Sequence, residues 1–204
     1  MSTTGPQRTE SRTALRWETA RAKTRLCILD AAGAVFAEEG FERATMKRIA
    51  DTCGVTKVTV YAHFRDKERL YKAVMEDHLA SMPPPKFESR RSVGLSDSLN
   101  SIAEGLGTLA THSSCRKFCQ TLMRSELSSA VYLEHWNSIL RPYSDGAMQA
   151  FANASPTSDS AGDGEKFLRL ILAEHGLLQR PSPDSGSDKT VALFLRAYAS
   201  AESK

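Results

Sequence analysis

The sequence predicts an all-α fold in two parts, and three observations carry that prediction. Apolar residues recur at helical spacing along most of the 204 residues. Strand-like composition is confined to one short string, "VTKVTVY" at 55–61. The proline run 83–85 ends the helix that links the two parts, because three successive residues there lack an N–H donor and cannot continue a helix. With 41% hydrophobic and 25% charged residues, the composition suits one or two globular domains.

Taken in order, the elements have local reasons. From 24 to 39, Ile28, Ala31, Ala32, Val35 and Phe36 keep helical spacing, and Gly40 suits the left-handed position after a helix. Thr45 offers an N-cap oxygen to the short helix "MKRIADTC". Asp66 caps another helix, with Tyr71, Val74, Met75, His78 and Met82 on its stripe. Beyond the prolines, helices are expected over 96–111, 114–128 and 130–140, with Pro142 in the first turn of a further one. The small, polar, glycine-containing stretch 153–165 reads as a loop. Helices over 165–178 and 188–201 complete the chain.

The strand-like string then finds its place as the second half of a helix-turn-helix. Ile49 and Ala50 face inward from the first helix, Gly54 supplies a positive φ in the turn, and Val55 plugs the corner. Thr56 caps the second helix, which Val60 and Phe64, four residues apart, anchor to the core. Packing overrides the weak helix propensity of the β-branched residues. Lys57, Val58, Thr59, Tyr61 and Ala62 are left pointing outward, on a face that needs a partner.

Charge adds to this. The net charge is only +3, yet residues 1–72 hold 14 Lys/Arg against 9 Asp/Glu. The excess peaks at Arg8, Arg12, Arg16, Arg21, Lys23 and Arg25, so residues 1–23 read as a flexible basic arm ahead of a domain at 24–65 and a second part at 66–204. A basic arm of this kind is an electrostatic footprint for a polyanion; a solvated tail is the plain alternative.

The stretch 28–76, "ILDAAGAVFAEEGFERATMKRIADTCGVTKVTVYAHFRDKERLYKAVME", resembles the tetracycline-repressor (TetR) family of bacterial transcriptional regulators. The "AA…F…GF", "T…IA…GV" and "Y.HF.DKE.L" elements all stand at that family's spacing. The resemblance implies a cytoplasmic homodimer that binds double-stranded DNA at a palindromic operator, without a cofactor or membrane contact. It implies that Lys57, Val58, Tyr61 and Ala62 face bases and that Lys47 reaches a base or a phosphate. Thr45, Thr56, Thr59, His63 and Lys67 would lie at the backbone. Packing for Tyr61, capping for His63 and a solvated helix start for Lys67 are the plain alternatives.

For the rest of the chain the family implies helices that bind a small-molecule effector and form a dimer face. "FCQTLMRSE" and "AEHGLLQR" look like pieces of a multidrug-type repressor core. Candidate effector residues are Met75, His78, Leu109, Phe118, Leu122, Met123, Glu126, Trp136, Leu140 and Tyr143, each of which ordinary core packing also explains. Leu172, Leu193, Phe194 and Tyr198 are the expected dimer contacts. The segment 153–165 reads as an insertion, and the chain ends soon after its last helix, so the dimer bundle is expected to be unusual. His112, Cys115 and Cys119 lack a fourth metal ligand, and all four cysteines read as reduced thiols. No nucleophile–base pair, phosphate loop or paired carboxylates indicate an enzyme. The function expected is a ligand-released transcriptional repressor. The alternative is a helical interaction module whose DNA-binding domain has degenerated.

Overall fold

The computed structural model describes residues 7–87, 94–125, 129–154, 159–177 and 187–199, and all of their regular structure is helical. The chain forms two units: Met1–Asp77 with Arg124–Glu126, and His78–Met123 with Leu127–Lys204.

The first unit contains α1 (Gln7–Arg43), α2 (Met46–Cys53), α3 (Lys57–Phe64) and most of α4 (Lys67–Ala80), which runs on into the second unit. Ile28, Val35, Phe36, Ile49, Val60, Phe64, Leu70 and Tyr71 fill its core, all at most 4% exposed. Phe36, Phe41 and Tyr71 form an aromatic triangle with ring centroids 5.2 to 6.1 Å apart. This geometry favours edge-to-face contact over stacking, and two of the three pairs adopt it.

One correction concerns the arm. The helix expected from residue 24 begins at Gln7, so 7–23 is helical rather than an irregular arm. No apolar stripe announces this stretch, and Leu15, Trp17 and Leu26 are exposed. Its Arg, Glu, Ala, Leu and Lys residues are good helix formers, and propensity sustains the helix where burial does not. Gly40 takes the expected positive φ (80°), but its ψ of 166° is extended, so it breaks the helix instead of capping it in the left-handed form.

The second unit contains α5 (Leu95–Thr111), α6 (Ser113–Met123), α7 (Ser129–Ala154), α8 (Ser160–Glu174) and α9 (Ser187–Ala199). Phe151, Phe167, Phe194 and Tyr198 form its aromatic cluster, with ring centroids 4.8 to 6.2 Å apart. Two further expectations are corrected here. The helices proposed on either side of Pro142 are one, with the proline inside α7. Pro142 removes a single N–H donor, and buried Trp136, Tyr143, Ala147 and Phe151 along one face hold the helix across it.

Both ends of the loop expected at 153–165 are helical, since α7 continues to Ala154 and α8 starts at Ser160. Asp159 caps α8 by accepting from the Gly162 N–H at 3.1 Å. Gly164 is buried against the backbone of Met148, where a Cβ would sit 3.0 Å from the Met148 nitrogen. Gly164, which reads as part of a loop, therefore serves a close helix crossing. Among the described residues, no helix is long and apolar enough to cross a membrane.

Candidate nucleic-acid interface

The two short helices α2 and α3 are set by capping at every end. The Thr45 Oγ1 accepts from the Arg48 N–H at 3.1 Å, closing the start of α2. Gly54, at φ 72° and ψ 27°, ends it: its N–H donates to Asp51 O, and the Val55 N–H returns to Ala50 O at 3.0 Å. Thr56 then caps α3 by accepting from the Thr59 N–H at 3.2 Å. An ion pair of 3.1 Å between Arg48 and Glu39 ties α2 to α1.

With Val60 and Phe64 buried, the opposite face of α3 is open. Val58 is 78% exposed and Tyr61 42%, and Lys57 and Ala62 are exposed beside them. The Lys57 Nζ lies 5.6 Å from the centre of the Tyr61 ring. An ammonium, a phenol and two small apolar groups on one helical face match the donors and methyl contacts that the edges of base pairs accept. Lys47 is exposed on α2. The Thr45 hydroxyl spends only its acceptor on the cap and keeps its O–H to donate. The Thr56 and Thr59 hydroxyls share one hydrogen bond of 2.9 Å, which leaves one outward O–H between them.

His63 is half-buried at the end of α3. Burial, then the positive charges of Arg21 and Arg25, hold its imidazole below the usual histidine range. The Arg25 guanidinium stacks 4.4 Å from the Phe64 ring centre. Sequence reading counted these two arginines in the arm's charge and did not place them in the site. Their i, i+4 spacing on a helix that runs unbroken into Ile28 was the signal available.

Lys67 is placed differently from the expectation. Its Nζ donates to the carbonyls of Phe41 at 2.7 Å, Ala44 at 3.0 Å and Glu42 at 3.3 Å, and lies 4.3 Å from the Phe41 ring centre. All three ammonium protons are committed, which leaves none for a phosphate. Lys67 is an internal clamp on the chain between α1 and α2. Just before it, Arg65 adopts φ 60° and ψ −48°, and the Asp66 N–H donates to Phe64 O at 2.6 Å. This tight, strained turn swings the chain from α3 into α4.

The expected effector residues differ in burial among the described residues. Met75, His78, Leu109, Phe118 and Tyr143 are buried at 5% exposure or less, and Met123 is exposed. Leu122 is half-buried, and Glu126 lies outside the described residues. Trp136 and Leu140 do line a cleft of about 870 Å³ between α7 and α8, with Leu168 and Leu172 opposite and Arg141, Asp145, Glu165 and Arg169 around them. Of the expected dimer contacts, Leu172 and Phe194 are buried in their own unit, and Tyr198 donates to Asp163 Oδ2 at 2.7 Å. Leu193 is 51% exposed; with Leu170 and Ala197 it lines an apolar groove between α8 and α9, edged by Lys166 and Arg169.

Comparison with known proteins agrees with this geometry. Residues 28–74 match the model of the family described as bacterial regulatory proteins, tetR family. The repressor AcnR of Corynebacterium diphtheriae is 40% identical over 55 residues, which are 27% of this chain and 29% of AcnR. The activator FasR of Mycolicibacterium smegmatis is 42% identical over 55 residues, 27% of this chain and 25% of FasR. The chain thus matches less than a third of the length of these curated relatives. Among solved structures, NalD, the secondary repressor of the MexAB-OprM multidrug efflux pump in Pseudomonas aeruginosa, is 25% identical. That match has a TM-score of 0.58 and covers 86% of this chain and 95% of NalD. Residues 28–74 thus match a domain of the tetR family of bacterial regulatory proteins.

Proposed function

We propose that the protein is a sequence-specific DNA-binding transcriptional regulator that acts as a homodimeric repressor and leaves its operator when a small molecule binds. The exposed face of α3, Lys57, Val58, Tyr61 and Ala62, carries this reading. Its apolar members have no burial to account for them, and a helix of this width fits the major groove. Thr45, Thr56, Thr59 and His63 surround that face as backbone contacts, with Arg21 and Arg25 beside His63. Lys47 on α2 completes the set.

The test is selection of bound sequences from random duplexes, followed by titration of Lys57→Ala on the selected operator and on a scrambled duplex at several salt concentrations. Lys57→Ala is expected to cost about 1–3 kcal/mol on the operator and to relax preference at one base pair per half-site. Equal losses on both duplexes would make Lys57 a backbone contact and rotate the assigned reading face.

Dimerisation through the α8–α9 groove follows from the same reading, because two half-sites require a two-fold protein. Leu170 and Leu193 present apolar area that a second copy would cover. A cation introduced beside Lys166 and Arg169 meets only like charge, so Leu193→Lys is expected to shift the chain to monomer at micromolar concentration in sedimentation equilibrium. A wild-type chain that sediments only as monomer defeats the proposal.

The α7–α8 cleft supports the effector arm: Trp136 and Leu140 offer an apolar wall, with charged groups of both signs around it. It would take an amphipathic molecule with an apolar body. Two stretches of chain can carry the response. The helix α4 passes from one unit into the other, and Arg124, which follows α6, belongs to the first unit, where its guanidinium donates to the Glu38 carbonyl. A coupling of about 1–3 kcal/mol would weaken operator binding roughly 5- to 150-fold.

A further inference from the structure

We propose that Cys27 and Cys53 are a modification site, a thiol pair that a small hydroperoxide converts to an intramolecular disulfide joining α1 to α2. The two residues are 26 positions apart, and both thiols are free. Their sulfurs lie 2.6 Å apart, and the Cys27 thiol also donates to the Cys53 carbonyl at 3.6 Å. A disulfide spans about 2.05 Å, so bond formation needs a movement of well under an ångström.

Their surroundings divide the labour. Cys27 is exposed on α1, whereas Cys53 is half-buried at the last residue of α2. Burial and donation of its proton toward Cys27 push the Cys53 thiol up to about 11. Cys53 therefore keeps its proton while Cys27 meets the oxidant. The Cys27 sulfur attacks the peroxide, forming an S–O bond as the O–O bond breaks and releasing water or an alcohol. The Cys53 sulfur then attacks the Cys27 sulfenic acid. An S–S bond forms, the S–O bond breaks, and the departing hydroxide leaves as water with the Cys53 proton. Two thiols are oxidised by two electrons and one peroxide is reduced.

The other cysteines provide an internal contrast. Cys115 and Cys119 are also neighbours, one turn apart on α6, but both are buried and out of reach of a solvent oxidant. The cross-link closes a loop across the start of the helix-turn-helix, directly before Gly54. It would hold α2 on α1 whether or not the domain is bound to DNA, so the proposal does not depend on the DNA-binding reading.

The experiment treats the full reduced chain with one to five equivalents of hydrogen peroxide, blocks remaining thiols with an alkylating agent, and digests with trypsin without reduction. The expected product is peptide 26–43 joined to peptide 49–57, two hydrogens lighter than the free pair, with Cys115 and Cys119 unoxidised. Dithiothreitol should reverse it. Thermal unfolding of the oxidised chain is expected to begin about 5–10 °C higher than that of the reduced chain, and Cys53→Ser should abolish the difference. A sulfenic acid trapped at Cys27 with no joined peptide, or Cys27 linked between two chains, overturns the proposal. A joined peptide with no thermal shift overturns the role of the bond in holding α2 on α1.

Discussion

Gly40→Ala is expected to destabilise the first unit by about 3–5 kcal/mol, which a urea titration of the full chain would register as an early loss of α2 and α3. Two costs combine. At φ 80° and ψ 166° the backbone occupies a region that is essentially restricted to glycine. A Cβ there would also run into the carbonyl oxygen of Arg124, a backbone atom that cannot swing aside as a side chain would. Gly54→Ala is the matched control, because Gly54 also has a positive φ, at 72°, but has open space around it. Its left-handed conformation carries a penalty of only about 1–2 kcal/mol for a residue with a Cβ. Equal costs at the two sites would show that the Arg124 segment does not rest on the end of α1.

Lys67→Met is expected to lower stability by about 2–4 kcal/mol while leaving the salt dependence of DNA binding unchanged. Methionine keeps the apolar stem but removes the three donors that hold the carbonyls of Phe41, Glu42 and Ala44. Hydrogen bonds from a charged donor are worth more than neutral ones, and the carbonyls at the end of α1 favour a cation through the helix dipole. Lys67→Arg should restore little, since a planar guanidinium cannot aim three donors at three oxygens clustered about one point. The outcome separates this role from a phosphate contact. A phosphate ligand would leave stability intact and reduce the salt slope by about one unit.

Lys67 also shows where reading the sequence stopped. In "HFRDKE" it stands at the start of a helix, the usual place for a residue that meets a backbone phosphate. Its acceptors lie 23 to 26 residues earlier, and nothing near it in sequence announces them. The same holds for Cys27 with Cys53, and for Arg21 and Arg25 with His63. Pro142 and the glycines of 153–165 erred in the other direction. Local propensity marked them as breaks, yet Pro142 lies inside α7 and Gly162 and Gly164 lie inside α8, where Gly164 packs on the α7 backbone.

The sequence by itself determined the all-helical class and the helix-turn-helix with its caps Thr45, Gly54 and Thr56. It also determined which face of α3 is buried and which is open. Each of these depends on hydrogen bonds and apolar spacing within five residues or fewer, so each is written where it acts. Only the tertiary structure decided that Lys67 faces inward, that α7 runs unbroken, that two cysteines meet, and that a cleft opens at Trp136. Those outcomes depend on which helices come together and at what distance. Such placement is a property of the whole packed unit, and no short stretch of sequence contains it.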